Sequence, residues 1–292
     1  MKKLPIFVCL IILLQGCSSQ FAYNNADWLS NWYIDDYLDL NAEQNRILKK
    51  ELESVLVWHR TTQLPAYKTQ LIALSKDLAS LPIPEKTWLA HFNGVTQHWH
   101  TARNELSKRS AQLAPQLNDK QVNYLFRKLH EKNENRLDEF KALSIQEYRQ
   151  ERFETLEETI EDYLGSITPI QMEYAKAFTD HAIETEQEWF DSKYALQRAM
   201  KDSFKQESKA LLSQDLYALM INPDQFKDQR LLNAYEHNRA LLVTMLHNIS
   251  GSLEPKQVIH FKEKIADWID LIESIEKDWM IEARLRGHDV TY

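Results

Sequence analysis

Apolar residues recur along this chain at three- and four-residue intervals with charged residues between them, in stretches far longer than a strand. Over 117–167 the apolar positions 122, 126, 129, 137, 140, 153, 156, 160, 163 and 164 keep that spacing. The pattern predicts one helix of about 45 residues, roughly 70 Å long, ended by Gly165. A second long helix is predicted from Thr168 to about Gln214, with Ala175, Phe178, Ala182, Trp189 and Leu196 on its apolar side. Further helices are predicted over 24–38, 42–80, 84–114, 223–249 and 255–286. Pro65 should kink the 42–80 helix, and Arg284 and Arg286 before Gly287 suit a helix carboxyl end. The expected fold is all-α, an elongated antiparallel bundle of long amphipathic helices.

Five short segments punctuate that pattern: LNAEQ at 40–44, LNDKQ at 117–121, ITPIQ at 167–171, INPDQ at 221–225 and LEPKQ at 253–257. If the second residue of each is the N-cap, Gln44, Gln121, Gln171, Gln225 and Gln257 fall at N3, where a glutamine reaches back to the cap amide. Asn41, Asn118, Thr168 and Asn222 are good caps, whereas Glu254 is a poorer one. Pro169, Pro223 and Pro255 then occupy N1, where a missing N–H does no harm. Leu117 with Val122, Ile167 with Met172, Ile221 with Phe226 and Leu253 with Val258 fit the apolar staple across the cap, but Leu40 with Asn45 does not. The segments therefore announce helix starts. Their unequal gaps of 77, 50, 54 and 32 residues exclude a fixed-period solenoid.

Glycine usage supports the helical reading, because hairpins and phosphate loops need positive φ and this chain has only five glycines. The first residues then set an address. Lys2 and Lys3 precede an apolar core, Leu4 to Leu14, that is too short to span a bilayer. Leu14-Gln15-Gly16-Cys17 follows and resembles the lipobox of bacterial lipoproteins. That resemblance implies cleavage between Gly16 and Cys17 and lipidation of Cys17, with a signal peptide over 1–16, a lipidated tether over 17–23 and a helical periplasmic domain over 24–292. Ser18, rather than an aspartate, after the cysteine implies the outer membrane. Cys9 would leave with the signal peptide, so the mature chain would hold no disulfide. Losing Lys2 and Lys3 leaves 33 basic against 43 acidic side chains, a net charge of −10, which argues against nucleic acid as a partner.

Tyr23 to Gln44, YNNADWLSNWYIDDYLDLNAEQ, resembles the start of a Gram-negative lipoprotein family known only as a domain of unknown function. Tyr23, Asn24, Asp27, Trp28, Leu29, Trp32, Tyr33, Asp35, Asp36, Tyr37, Leu40 and Gln44 carry that likeness. ITPIQ also resembles the L-T-x-x-Q motif of the Spy and CpxP periplasmic chaperones and stress regulators, which implies a chaperone-like role. Trp28 and Trp32 share a helix face with Tyr33 and Tyr37 beside them, a candidate interface that either enters the headgroup layer or packs into the bundle. Asp35, Asp39 and Glu43 read as a solvated acidic face rather than a cation site.

Candidate chemistry is sparse. No H-E-x-x-H, bundle-type E-x-x-H or G-x-S-x-G occurs. His98 and His100 lie on different helix faces. His91, His98 and Glu105 share a stripe, but at steps of about 10 Å, too long for one metal. His130 and Glu134 read as a surface pair. The expectation is no catalytic residue, no metal and no cofactor. It is a membrane-tethered, non-enzymatic adaptor for another envelope protein, with a chaperone-like holdase as the alternative and a helical-bundle enzyme or metal binder behind both.

Overall fold

The computed structural model describes Tyr23, Tyr33, Ile34 and residues 36–285. The predicted signal peptide, most of the predicted tether, Gly16, Cys17, Trp28, Trp32, Arg286 and Gly287 lie outside them. Ten α-helices follow one another among the described residues, with no strand: α1 (Ala42–Trp58), α2 (Leu64–Asp77), α3 (Glu85–Leu113), α4 (Asp119–Lys141), α5 (Ile145–Leu164), α6 (Pro169–His181), α7 (Glu186–Ser203), α8 (Lys209–Ile221), α9 (Gln229–Gly251) and α10 (Pro255–Leu285). The chain is an all-α bundle.

The two longest predicted helices are each divided, and the reasons are local. The 117–167 pattern breaks after Lys141 because Ser144 and Glu147 form a complete capping box, which starts α5. Three-and-four spacing continues on either side of that break, but at about 100° per residue the apolar stripe before it and the one after it face nearly opposite ways, so spacing alone misses what phase would show. The 168–214 pattern breaks twice. Ala182 leaves the helix in an extended conformation, and the Asn238 side chain takes both the N–H and the carbonyl of Ile183 at 2.8 Å. Ser208 then caps α8 by accepting the Leu211 N–H.

At Pro65, where a kink is expected, the 42–80 helix is divided by a change of helix type. Residues His59–Gln63 widen into a π-helical turn between α1 and α2, and the Leu64 N–H bonds to the His59 carbonyl. Pro65 has no N–H for the carbonyl four residues back and clashes with it, so the ladder shifts by one residue there. The Thr61 and Thr62 hydroxyls bond back to the Val57 and Trp58 carbonyls at 2.9 and 2.7 Å.

Three of the five start segments form complete capping boxes, at Asn41–Gln44, Asn118–Gln121 and Thr168–Gln171. At LEPKQ, Gln257 Oε1 accepts the Glu254 N–H at 2.9 Å. INPDQ departs from the expectation. It closes a 3₁₀ turn in which the Gln225 amide donates to the Asn222 carbonyl, and Asp228 caps α9 instead, accepting the Leu231 N–H at 2.8 Å.

The N3 glutamines also pair with one another. Gln44 and Gln121 exchange amide hydrogen bonds, as do Gln171 and Gln257 at 2.9 Å each way. Each glutamine in addition donates to the carbonyl two residues before its partner's cap: Gln116, Asp39, Ser252 and Ser166. Two helix starts are thereby locked side by side at each junction, α1 with α4 and α6 with α10.

Neighbouring helices run antiparallel. Phe126 meets Phe204 and Glu134 meets Tyr194 between α4 and α7, while Leu64 packs with Ile275 and Leu78 with Ile265 between α2 and α10. Core clusters of Leu78, Ile83, Trp88, Val243 and Ile265, and of Ile160, Leu164, Ala175, Met245 and Ile249, centre on α9 and α10. Gly165 ends α5 at φ 73°, a left-handed conformation that favours glycine, and a Cβ there would also press on the His260 ring at 3.1 Å.

Candidate functional site

Helix α4 presents Tyr124, Lys128, Lys132 and Arg136 four residues apart, one stripe on one face. Tyr33 and Tyr37 lie on that stripe. Their rings are 5.2 Å apart and their hydroxyls 3.1 Å apart, and the Lys132 ammonium donates to both, at 2.7 Å to Tyr33. Its nitrogen is 5.0 and 5.1 Å from the two ring centroids. Burial acts to lower the Lys132 pKa, but the two phenol contacts outweigh it and the ammonium is held. One turn earlier, Lys128 pairs with Asp36 at 3.2 Å. The two described members of the predicted aromatic interface therefore pack on the bundle.

Helix α7 adds Trp189 and Lys193, again one turn apart. Lys193 Nζ lies 4.5 Å from the Trp189 ring centroid and the Arg136 guanidinium 5.6 Å. Burial first, and then the Arg136 and Lys132 cations, push the Lys193 ammonium down to about 8. Beside them the Tyr194 hydroxyl donates to Glu134, the His130 ring stands 5.6 Å from the Tyr194 ring, and Asn133 donates to Gln197 at 3.0 Å. The predicted His130–Glu134 pair is thus bridged by Tyr194, a residue sequence reasoning did not place there. Trp189 was read only as an apolar position, and Arg136 and Lys193 were not singled out. Their four-residue spacing from Lys132 and Trp189 was the available signal.

A second cluster surrounds the π turn. Tyr23 Oη lies 2.7 Å from His59 Nδ1, and the Tyr67 ring stands edge-on between His59 and His98 at 5.6 and 4.8 Å. Arg60 lies 5.2 Å from the Tyr23 ring centroid. Burial holds the His59 imidazole down to about 4, with Arg60 adding to the effect, and lifts the Tyr23 phenol to about 12.

The other candidates disperse. His91 bonds Asp77 at 2.8 Å, Glu105 pairs with Arg109, and His98 stacks on Tyr67, so the predicted stripe serves three separate contacts. His100 lines a shallow groove of about 320 Å³ with Gln97, Arg103 and Ile221. Asp39 reaches Lys120 at 4.0 Å and Glu43 reaches Arg46 at 2.6 Å, while Asp35 lies outside the described residues. Among the described residues, no three His, Cys, Asp or Glu side chains are grouped to hold a metal, and no helix is long and apolar enough to cross a membrane.

Comparison with curated proteins and with solved structures returned no match. A family model does match, over residues 36–231, from the turn that carries Asp36 and Tyr37 through the whole α4–α7 face to the first turn of α9. The chain belongs to that family, the family of unknown function DUF6279.

Proposed function

We propose that this chain is a lipoprotein of the outer membrane that faces the periplasm and acts as a non-enzymatic adaptor for another envelope macromolecule. The observation that carries the address is Leu14-Gln15-Gly16-Cys17 behind a short apolar core, with cleavage between Gly16 and Cys17 and acyl chains on Cys17. Several acyl chains hold such an amino terminus where one would be marginal. Tyr23 follows Cys17 by six residues and is packed against His59. Six residues span at most about 20 Å, so the α1–α2 junction stays close to the bilayer. The adaptor reading draws on the α4–α7 face, whose aromatic and cationic side chains are of the kind that dominate interface energetics. The Gln44–Gln121 junction fixes the start of α4, which carries one side of that face. A chaperone-like holdase is the second reading, supported by Trp99 and Leu106, which are 42% and 44% exposed seven residues apart on α3.

The test pairs the natural chain with Cys17→Ser. Radiolabelled palmitate incorporation and outer-membrane fractionation are both expected to disappear in the variant, while its helical circular dichroism stays unchanged. Unaltered labelling refutes the anchor. In-cell crosslinking of the natural chain, followed by mass spectrometry, separates the two roles: one saturable partner favours the adaptor, and a broad set of immature envelope proteins favours the holdase.

A further inference from the structure

Several half-buried cations of this bundle are matched to carboxylates. Arg109 meets Glu51 and Glu105, Lys68 meets Glu273 and Glu276, and Lys264 meets Asp162. Lys132, Arg136 and Lys193 differ. All three are half-buried, yet among the described residues no carboxylate lies within ion-pair distance of any of them. Their neighbours are aromatic instead: Tyr33 and Tyr37 for Lys132, and Trp189 for both Arg136 and Lys193. A ring attracts a cation through its quadrupole but carries no net charge, so these aromatic neighbours do not neutralise the cations they touch.

Concentrating three cations is unfavourable, and the fold nevertheless fixes them. Lys132 and Arg136 sit one turn apart on α4. Trp189 and Lys193 sit one turn apart on α7, which packs antiparallel against it, and Phe126–Phe204 and Asn133–Gln197 pin the crossing. The depressed Lys193 ammonium records that mutual repulsion together with burial. In a chain of formal net charge −8, a local surplus of this kind is not a by-product of composition.

We propose that Arg136 and Lys193, both on the Trp189 ring, together with Lys132 one turn before Arg136 on α4, form a binding site for a phosphate-type oxyanion between α4 and α7. A dianionic phosphate matches a three-cation site better than a single carboxylate does, and a guanidinium fork beside two ammonium groups is a usual donor set for it. Glu134, Asp138 and Asp191 act on Tyr194, and among the described residues none of them forms an ion pair with the three cations. Tyr33 and Tyr37 border the site and follow Cys17 by sixteen and twenty residues, which brings a lipid headgroup phosphate within reach alongside a free phosphate ester. The site names the partner chemistry of the face on which the adaptor reading draws, but the geometry stands without the membrane address.

The experiment is calorimetric titration of the full chain, purified in detergent, with inorganic phosphate at low ionic strength. Co-sedimentation with phosphatidylethanolamine vesicles, made with and without phosphatidylglycerol, runs beside it. Saturable phosphate binding is expected. Arg136→Gln and Lys193→Met should each weaken it by about tenfold or more, as for loss of one charged hydrogen-bonding partner. Lys193→Arg keeps the charge and should retain binding, and Arg127→Gln, which removes a cation already paired with Glu131, should leave it unchanged. Binding of inorganic phosphate without vesicles assigns a soluble ester, and vesicle binding dependent on these residues assigns a headgroup. Binding of neither, or affinities indifferent to Arg136→Gln and Lys193→Met, overturns the site. Cys17→Ser should keep its phosphate affinity, so the anchor and the site fail separately.

Discussion

Gln171→Leu is expected to destabilise the protein by roughly 3–5 kcal/mol, because a buried group loses its hydrogen bonds and strands several partners at once. Gln171 is fully buried, at 0% exposure. Its Oε1 accepts the Thr168 N–H at 3.0 Å and the Gln257 amide at 2.9 Å. Its Nε2 donates to the Ser252 carbonyl at 3.2 Å and to Gln257 Oε1 at 2.9 Å. Leucine has similar bulk and repairs none of these contacts, so the backbone groups that open α6 and precede α10 are left without partners in a dry junction. Gln257→Leu should cost a similar amount, since Gln257 is equally buried and mirrors each contact. The two losses should not add. With both glutamines replaced, the second substitution removes little that the first had left, and a coupling of about 1–3 kcal/mol is expected. Gln44→Leu at the α1–α4 junction should cost only about 1 kcal/mol, because water can reach part of that site. Urea denaturation of the four variants measures these differences. A Gln171→Leu loss below about 1 kcal/mol, or strict additivity with Gln257→Leu, would show that the paired amides do not hold the junction.

The junctions also show how far the sequence reaches. Cap and N3 glutamine were legible in LNAEQ, LNDKQ and ITPIQ because both members of a capping box lie within four residues. The pairing of Gln44 with Gln121 and of Gln171 with Gln257 was not, because it depends on which helix starts adjoin in the fold. INPDQ shares the same letters yet fails as an α-helix start, since Asp228 six residues beyond Asn222 offers a competing cap. Ser144-Ile145-Gln146-Glu147 was readable as a box and was masked by three-and-four spacing that resumes after it, although the apolar face has turned by close to half a turn. The helix break at Ala182–Thr185 had no local signal, because the Asn238 side chain that satisfies Ile183 arrives from α9. The site divides in the same way. Tyr33 and Tyr37 were legible as an aromatic pair four residues apart, but Lys132 beneath them is a tertiary neighbour. Trp189 and Lys193 gain their meaning only when α7 is laid against Arg136.

Acidification from pH 6.5 to about 4 is expected to remove roughly 3 kcal/mol of stability through His59 alone. The folded imidazole is held down to about 4 from an ordinary value of 6.5, first by burial and then by Arg60. Between those values the unfolded chain takes up a proton that the folded chain refuses, so stability falls as pH falls. Its contribution is intact above 6.5 and gone by about 4. The geometry explains the refusal. The π turn forced by Pro65 sets His59 between the Tyr23 and Tyr67 rings, with Tyr23 Oη at 2.7 Å from Nδ1 and the Arg60 cation alongside. Among the described residues no carboxylate acts on the ring to compensate a positive charge. His59→Asn keeps a polar atom near Tyr23 Oη but cannot protonate. The variant should be less stable near pH 7, and its loss between pH 6.5 and 4 should be smaller than the natural chain's by about 2–3 kcal/mol. Carboxylate titration is common to both proteins and cancels in that difference. Two denaturation series over this range decide the matter, and parallel curves would mean that His59 titrates as freely in the folded chain as in the unfolded one.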